Sequence, residues 1–184
     1  MNWMKKVAVA LVCLLPLGLQ AAKVDTLQVK SPSMNKSIEV VVVSPDVAAT
    51  KACPVIYLLH GYGGNARTWV GIKPDLSKIA DEKGIFFVCP DGKNTWYWDS
   101  PLNADVRYET FISDELVKYV DSHYKTVADR KGRAITGLSM GGHGAMWNGL
   151  RHSDVFSAAG STSGGVDIRP FPKNWEMSVQ IGEK

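Results

Sequence analysis

The pentapeptide Gly137-Leu138-Ser139-Met140-Gly141 constrains this chain more than any other stretch. It has the form G-x-S-x-G. Arg133 to Thr136 before it reads as a strand, and Met140 to Leu150 after it as a helix. In that setting such a pentapeptide makes a nucleophile elbow. A serine on a tight strand-to-helix turn leaves no room for side chains two residues to either side, so glycine occupies both places. The turn lifts Ser139 out at the helix N-terminus. The Met140 amide then points to where negative charge develops on an attacked carbonyl oxygen. Gly-rich turns of this kind also serve as plain elbows or phosphate loops, so the flanking elements carry part of the weight.

A second segment fits the same chemistry. His60-Gly61-Tyr62-Gly63-Gly64 follows the apolar run Pro54 to Leu59. In an elbow-type hydrolase, the loop after the third strand gives the other oxyanion amide. Glycines let its N–H groups turn inward. Tyr62 is the expected donor; an ordinary Gly-rich turn is the alternative.

The order of elements gives the fold class. Val24 to Val29 and Ser37 to Val43 read as an antiparallel hairpin around the turn-prone segment 31–35. Pro54 to Leu59 and Ile85 to Cys89 are continuous apolar strands, as buried parallel strands should be. Helices are expected over about Pro74 to Lys83 and over Arg107 to Tyr124, where apolar residues recur at helical spacing. Val155 to Ala159 is a sixth strand. The pattern is an α/β sheet, mostly parallel after an N-terminal antiparallel hairpin, and the elbow within it makes an α/β-hydrolase fold the expectation. Beyond Val166 it fades, and Ile168 to Lys184 offers no clear strand or helix. The expectation is a domain over 23–184 that stops in mid-fold after about the sixth strand.

The 184 residues are 45% hydrophobic and 21% charged, as in an ordinary globular domain. Residues 1–22 read as a signal peptide: Lys5 and Lys6, an apolar run from Val7 to Leu19, then Ala21-Ala22. An uncleaved anchor is the alternative, but the run is short for a membrane span. Cys13 lacks the small residues that lipidation needs before it. The expected location is therefore secreted or periplasmic, with no stable membrane association after cleavage. The formal charge is +3, and removing Lys5 and Lys6 leaves +1. No basic stripe forms, which argues against nucleic acid. Cys53 and Cys89 fall at opposite ends of neighbouring strands, an offset of about 20 Å at the usual strand rise. That is beyond disulfide reach, so both are expected as buried free thiols.

Taken together, Tyr57-Leu58-Leu59-His60-Gly61-Tyr62-Gly63-Gly64 and Gly137-Leu138-Ser139-Met140-Gly141-Gly142-His143-Gly144-Ala145 resemble the esterase D family. That family includes S-formylglutathione hydrolases, feruloyl and acetylxylan esterases and the antigen 85 mycolyltransferases. The resemblance runs from about Ile38 to Gly165. It includes Trp96-Tyr97-Trp98-Asp99-Ser100-Pro101, which is similar to the loop after the fourth strand in bacterial members. It implies a Ser–acid–His triad in that chain order, with acid and histidine many tens of residues past the serine. Only 45 residues follow Ser139, and the last histidine is His152. The usual acid and base are expected beyond Lys184. His143 is expected to be structural. His152, thirteen residues along the helix, would be nearly 20 Å away. His60 is expected to position backbone and His123 to lie at the surface. Asp167 comes too early for the triad acid. A serine without its base is a poor nucleophile, so little or no turnover is expected from this chain alone.

The expected chemistry is carboxylic ester hydrolysis through an acyl-enzyme on Ser139, with Tyr62 and Met140 amides holding the oxyanion. Small esters or acyl esters of carbohydrates are the expected substrates. No metal or organic cofactor is needed. Trp96, Tyr97 and Trp98 either line an acyl or sugar pocket or cover the core edge. The alternatives are acyl transfer to a sugar or lipid, and a relative that binds carbohydrate without turnover. The sequence does not give the oligomeric state.

Overall fold

The computed structural model describes residues 22–171 and 173–182. The expected export segment lies outside the described residues except for Ala22, whose N–H donates to Asp81 Oδ2 at 2.8 Å. Among the described residues no helix is long and apolar enough to cross a membrane.

The chain forms β1 (Lys23–Ser31), β2 (Lys36–Ser44), β3 (Val55–Leu59), α1 (Thr68–Ile72), α2 (Leu76–Lys83) and β4 (Phe86–Pro90). It continues with α3 (Tyr108–Thr110), a π-turn (Phe111–Glu115), α4 (Leu116–His123), β5 (Arg133–Leu138), α5 (Met140–Arg151), β6 (Ala158–Thr162) and α6 (Met177–Ile181). The six strands make one sheet in the order β1-β2-β4-β3-β5-β6. β1, β2 and β4 pair antiparallel, and β4, β3, β5 and β6 run parallel.

Period-two alternation puts successive side chains on opposite faces. Val41, Val43, Leu58, Phe87 and Cys89 pack against Leu76 and Ala80 of α2. Val40, Val42, Val55, Tyr57, Phe86 and Val88 face the other way, against Phe111 and Leu116 of the 108–123 helix and Met140 and Ala145 of α5. β3 and β4 are apolar throughout because both of their faces are covered. Gly84 ends α2 at φ 62°, a left-handed cap that glycine adopts without strain. Cys53 and Cys89 are buried and free.

Three expectations are corrected. The sixth strand starts at Ala158, not Val155. Val155 and Phe156 instead close a turn, both N–H groups donating to the His152 carbonyl. Phe156 is buried from that turn, so its apolar character did not mark a strand. The helix expected over 107–124 widens into a π-turn at 111–115. The segment after Ile168, expected to be without regular structure, contains α6, pinned by the buried Met177. One short turn is too brief to show a period.

Candidate active site

β5 delivers Ser139 to the carboxyl edge of the sheet, and α5 starts at the next residue. Ser139 has φ 55° and ψ −117°, outside the regions that L-residues favour. Two hydrogen bonds hold the bend. The Ser139 N–H donates to the Thr162 carbonyl (2.9 Å) and its carbonyl accepts from the His143 N–H (3.0 Å). A Cβ on Gly137 would come within 2.3 Å of the Gly141 backbone, and one on Gly141 within 2.2 Å of the Leu59 carbonyl. Real Cβ atoms do not approach so closely, so both positions require glycine. Ser139 itself is exposed.

The loop after β3 lies against this elbow. A Cβ on Gly61 would be 3.5 Å from Ser139 Cβ. The loop turns at Gly63 (φ 76°), whose N–H donates to Asn94 Oδ1 at 2.8 Å. Among the described residues, neither the Tyr62 nor the Met140 amide donates to another part of the chain. His60 supports the loop from beneath. Its Nε2 accepts from the Gly92 N–H (2.9 Å), which assigns the proton to Nδ1, and Nδ1 donates to the Gly61 carbonyl (2.7 Å). Asp91 Oδ1 lies 3.5 Å from the same Nε2, but that nitrogen is already an acceptor, so the contact is not an ion pair.

Ser139 opens into a cavity of about 190 Å³ lined by Tyr62, Trp96, Ser163, Gly164, Gly165 and Trp175. Of the three aromatic residues expected there, Trp96 alone reaches it. Tyr97 is fully buried, its hydroxyl donating to the His60 carbonyl at 3.1 Å. It fills a slot between two glycines: a Cβ on Gly92 or Gly144 would come within 2.1 or 2.5 Å of its ring. Trp96 and Trp98 are almost equally buried, 4% and 3% exposed, and both pack edge-on to His143, but Trp98 does not border the cavity. Of the three residues expected to contact substrate, Trp96 alone lines the cavity, and the expectation is corrected for Tyr97 and Trp98, which are core residues. Sequence reasoning missed Trp175. It sits at φ 50° in the stretch after Ile168, and its carbonyl accepts from Trp96 Nε1 at 3.1 Å. Nothing in the sequence around it signals a return to the site. Trp96, Ser139, Ser163 and Trp175 all hold positive φ, so backbone strain gathers around this one cavity.

The histidines are engaged elsewhere. His143 is 6% exposed, with Nδ1 on the Gly165 carbonyl (2.8 Å) and its ring packed against Trp96, Trp98 and Trp147. Burial pushes its pKa down, so the ring is neutral at pH 7. His152 Nε2 meets Glu109 at 2.9 Å, and His123 stacks on Tyr119. Among the described residues no histidine hydrogen-bonds the Ser139 hydroxyl. Asp167 is exposed, and the Arg169 guanidinium holds its carboxyl down to about 2. It is tied to Arg169, not to a histidine. No group of three or more metal-ligating side chains occurs among the described residues.

Residues 31–181 match the Esterase family model, described as "Putative esterase". The chain belongs to this family. Esterase Rv1288 of Mycobacterium tuberculosis (strain ATCC 25618 / H37Rv) is 31% identical over 149 residues, 77% of this chain and 32% of the relative. An endo-1,4-beta-xylanase/feruloyl esterase of Xylanibacter ruminicola is 34% identical over 123 residues, 61% of this chain and 17% of the relative. A solved ferulic acid esterase superposes with a TM-score of 0.73 at 30% identity, over 88% of this chain and 68% of that one. This esterase-family chain thus spans about a third of the length of the curated relative Rv1288.

Proposed function

We propose that the chain carries the nucleophile and oxyanion half of a serine carboxylic ester hydrolase. The observation that carries this is the strained, exposed Ser139 at the start of α5, with the glycine loop at 61–64 beside it. On this reading Ser139 Oγ adds to the ester carbonyl carbon. The oxygen that becomes negative takes hydrogen bonds from the Tyr62 and Met140 amides. The C–O bond to the alcohol then breaks, and water cleaves the acyl-serine. Tyr62, Trp96 and Trp175 give the cavity aromatic walls suited to a flat or apolar acyl group. The feruloyl esterase relatives support an acyl ester of a carbohydrate as substrate. Their likeness and the leader-like residues 1–22 support export to the periplasm or medium.

Incubation of the chain with a fluorophosphonate, followed by peptide mass mapping, tests the reading. An adduct on Ser139 that disappears in Ser139→Ala supports it. A folded sample that takes no adduct, and whose Ser139→Cys variant is also no more reactive than the buried Cys53 and Cys89, overturns it. One observation favours a second reading, ester or sugar binding without turnover: no described histidine meets the Ser139 hydroxyl. Release of product from methyl ferulate separates the two readings, and a transfer product formed with an added alcohol would mark acyl transfer.

A further inference from the structure

A larger cavity, about 420 Å³, lies on the same carboxyl edge of the sheet as Ser139. Its floor is the start of β2 beside the end of β4, where the Asp91 N–H donates to the Glu39 carbonyl at 2.9 Å. Its rim is the loop that also borders the Ser139 cavity. Tyr62 faces the smaller cavity, and Asn65, three residues on, faces the larger. Three residues span at most about 11 Å, so the two cavities are neighbours. The segment after β4 joins them as well, with Lys93 in the larger and Trp96 in the smaller.

The lining has a specific chemistry. Arg67 pairs with Glu39 (3.7 Å) and Lys93 with Asp91 (2.6 Å). Burial works to raise the Asp91 carboxyl, but the Lys93 ammonium and backbone N–H outweigh it and hold the group well below the usual carboxylate range. Lys36 has no carboxylate partner among the described residues. Its ammonium donates to the Asp105 carbonyl (2.7 Å) and lies 5.2 Å over the Tyr108 ring. Two of its three donors stay free. Tyr108 is 1% exposed and borders the cavity, yet its hydroxyl has no hydrogen-bond partner among the described residues. The hydroxyl oxygen is not sealed in the interior, so it is free to meet a ligand in the cavity. Gln28, Ser37 and Asn65 add further donors and acceptors around the wall. The sum is one unpaired cation, one unpaired phenol and a ring of neutral polar groups.

We propose that this cavity binds an acidic sugar, a uronic-acid unit, with its carboxylate on Lys36 and a ring hydroxyl on Tyr108. Its place beside the Ser139 cavity makes it a subsite for the alcohol part of the ester. That last step rests on the ester-hydrolase reading, whereas the binding itself does not.

The test is titration of the full chain with methyl glucuronoside, followed by ligand-observed NMR, with methyl glucoside and acetate in parallel. Saturable glucuronoside binding is expected, with the other two probes at least about fivefold weaker. Lys36→Met keeps the stem over Tyr108 but removes the charge, and should weaken glucuronoside about tenfold. Tyr108→Phe should weaken it about fivefold. Should Tyr108→Phe fail to fold, Lys36→Met decides alone, since Lys36 is only half-buried. No saturable binding, equal binding of all three probes, or wild-type affinity in Lys36→Met each overturns the proposal. Fluorophosphonate labelling of the same samples keeps the two readings apart. Labelling, or fast alkylation of Ser139→Cys, without glucuronoside binding sinks the subsite alone, while binding with neither sinks the hydrolase reading and leaves the sugar site standing.

Discussion

The Ser139 elbow and the Trp96-Tyr97 bend both hold non-glycine residues at positive φ, near 55° to 61°. They put the strain to opposite uses. At the elbow, Gly137 and Gly141 clear the space on either side, and a small polar side chain is left exposed. At the 96–97 bend, Gly92 and Gly144 clear a slot, and the bend drives the Tyr97 ring into it. Strain of this kind costs about 1–3 kcal/mol per residue. At Tyr97 the buried ring and its hydrogen bond to His60 offset that cost locally. At Ser139 nothing in the side chain does so, and the cost is carried by the sheet and helix that fix both ends. Strain offset by burial is structural, whereas strain that leaves a reactive group exposed is what a functional site retains.

Substitutions can break or sharpen this contrast. The largest effect belongs to Ser139→Ala. It should abolish fluorophosphonate labelling, and any ester turnover with it, while leaving the melting temperature nearly unchanged. The removal of a nucleophile typically costs a factor of about 10⁴ to 10⁶. Tyr97→Ala should do the reverse, lowering stability by about 3–5 kcal/mol in denaturant titration because it empties the glycine slot. Gly141→Ala belongs with it in size, because the new Cβ meets the Leu59 carbonyl at 2.2 Å. Smaller, and opposite in sign, are two milder changes. Tyr97→Phe should lose about 1 kcal/mol with the hydroxyl, while Ser139→Gly should gain up to about 1 kcal/mol by relieving the bend. Equal responses at the two sites would erase the distinction.

The smallest expected effect is a pH slope. Burial lowers the pKa of His143 from the ordinary 6.5. Protonation therefore favours the unfolded chain first. The stability from the neutral ring is complete above about pH 6.5 and declines as pH falls from there through the lower folded-state value. His143→Gln should flatten urea midpoints measured across that window. An unchanged slope would mean that the tryptophans around His143 do not shield it.

The same contrast explains what the sequence could show. The elbow was legible because glycine is required at two fixed offsets and the flanking elements have strong periods. The sheet was legible because Val55 to Leu59 and Phe86 to Cys89 are apolar on both faces. Trp96, Tyr97 and Trp98 could not be told apart. Three consecutive aromatic residues, all buried, carry no mark of which one will border the cavity. β6 was misplaced because Ala, Gly, Ser and Thr on an exposed edge carry little hydrophobic signal, while Val155-Phe156 beside it carries a strong one. Trp175 was invisible for another reason. Its place depends on long-range anchors, the buried Met177 and the Ser100 hydroxyl donating to the Gln180 carbonyl, and no local pattern records them.

The most direct measurement is the pH dependence of thiol alkylation in Ser139→Cys, with each modified peptide mapped. It needs no general base, because a thiolate is itself the nucleophile. An exposed position at a helix N-terminus, among free main-chain amides, should alkylate quickly, with an apparent pKa below the roughly 8.5 of a free cysteine. Cys53 and Cys89, both buried, should stay unreacted in the folded protein. A position-139 thiol as inert as those two, or one that titrates at or above 8.5, would contradict the presence of an exposed, donor-lined elbow.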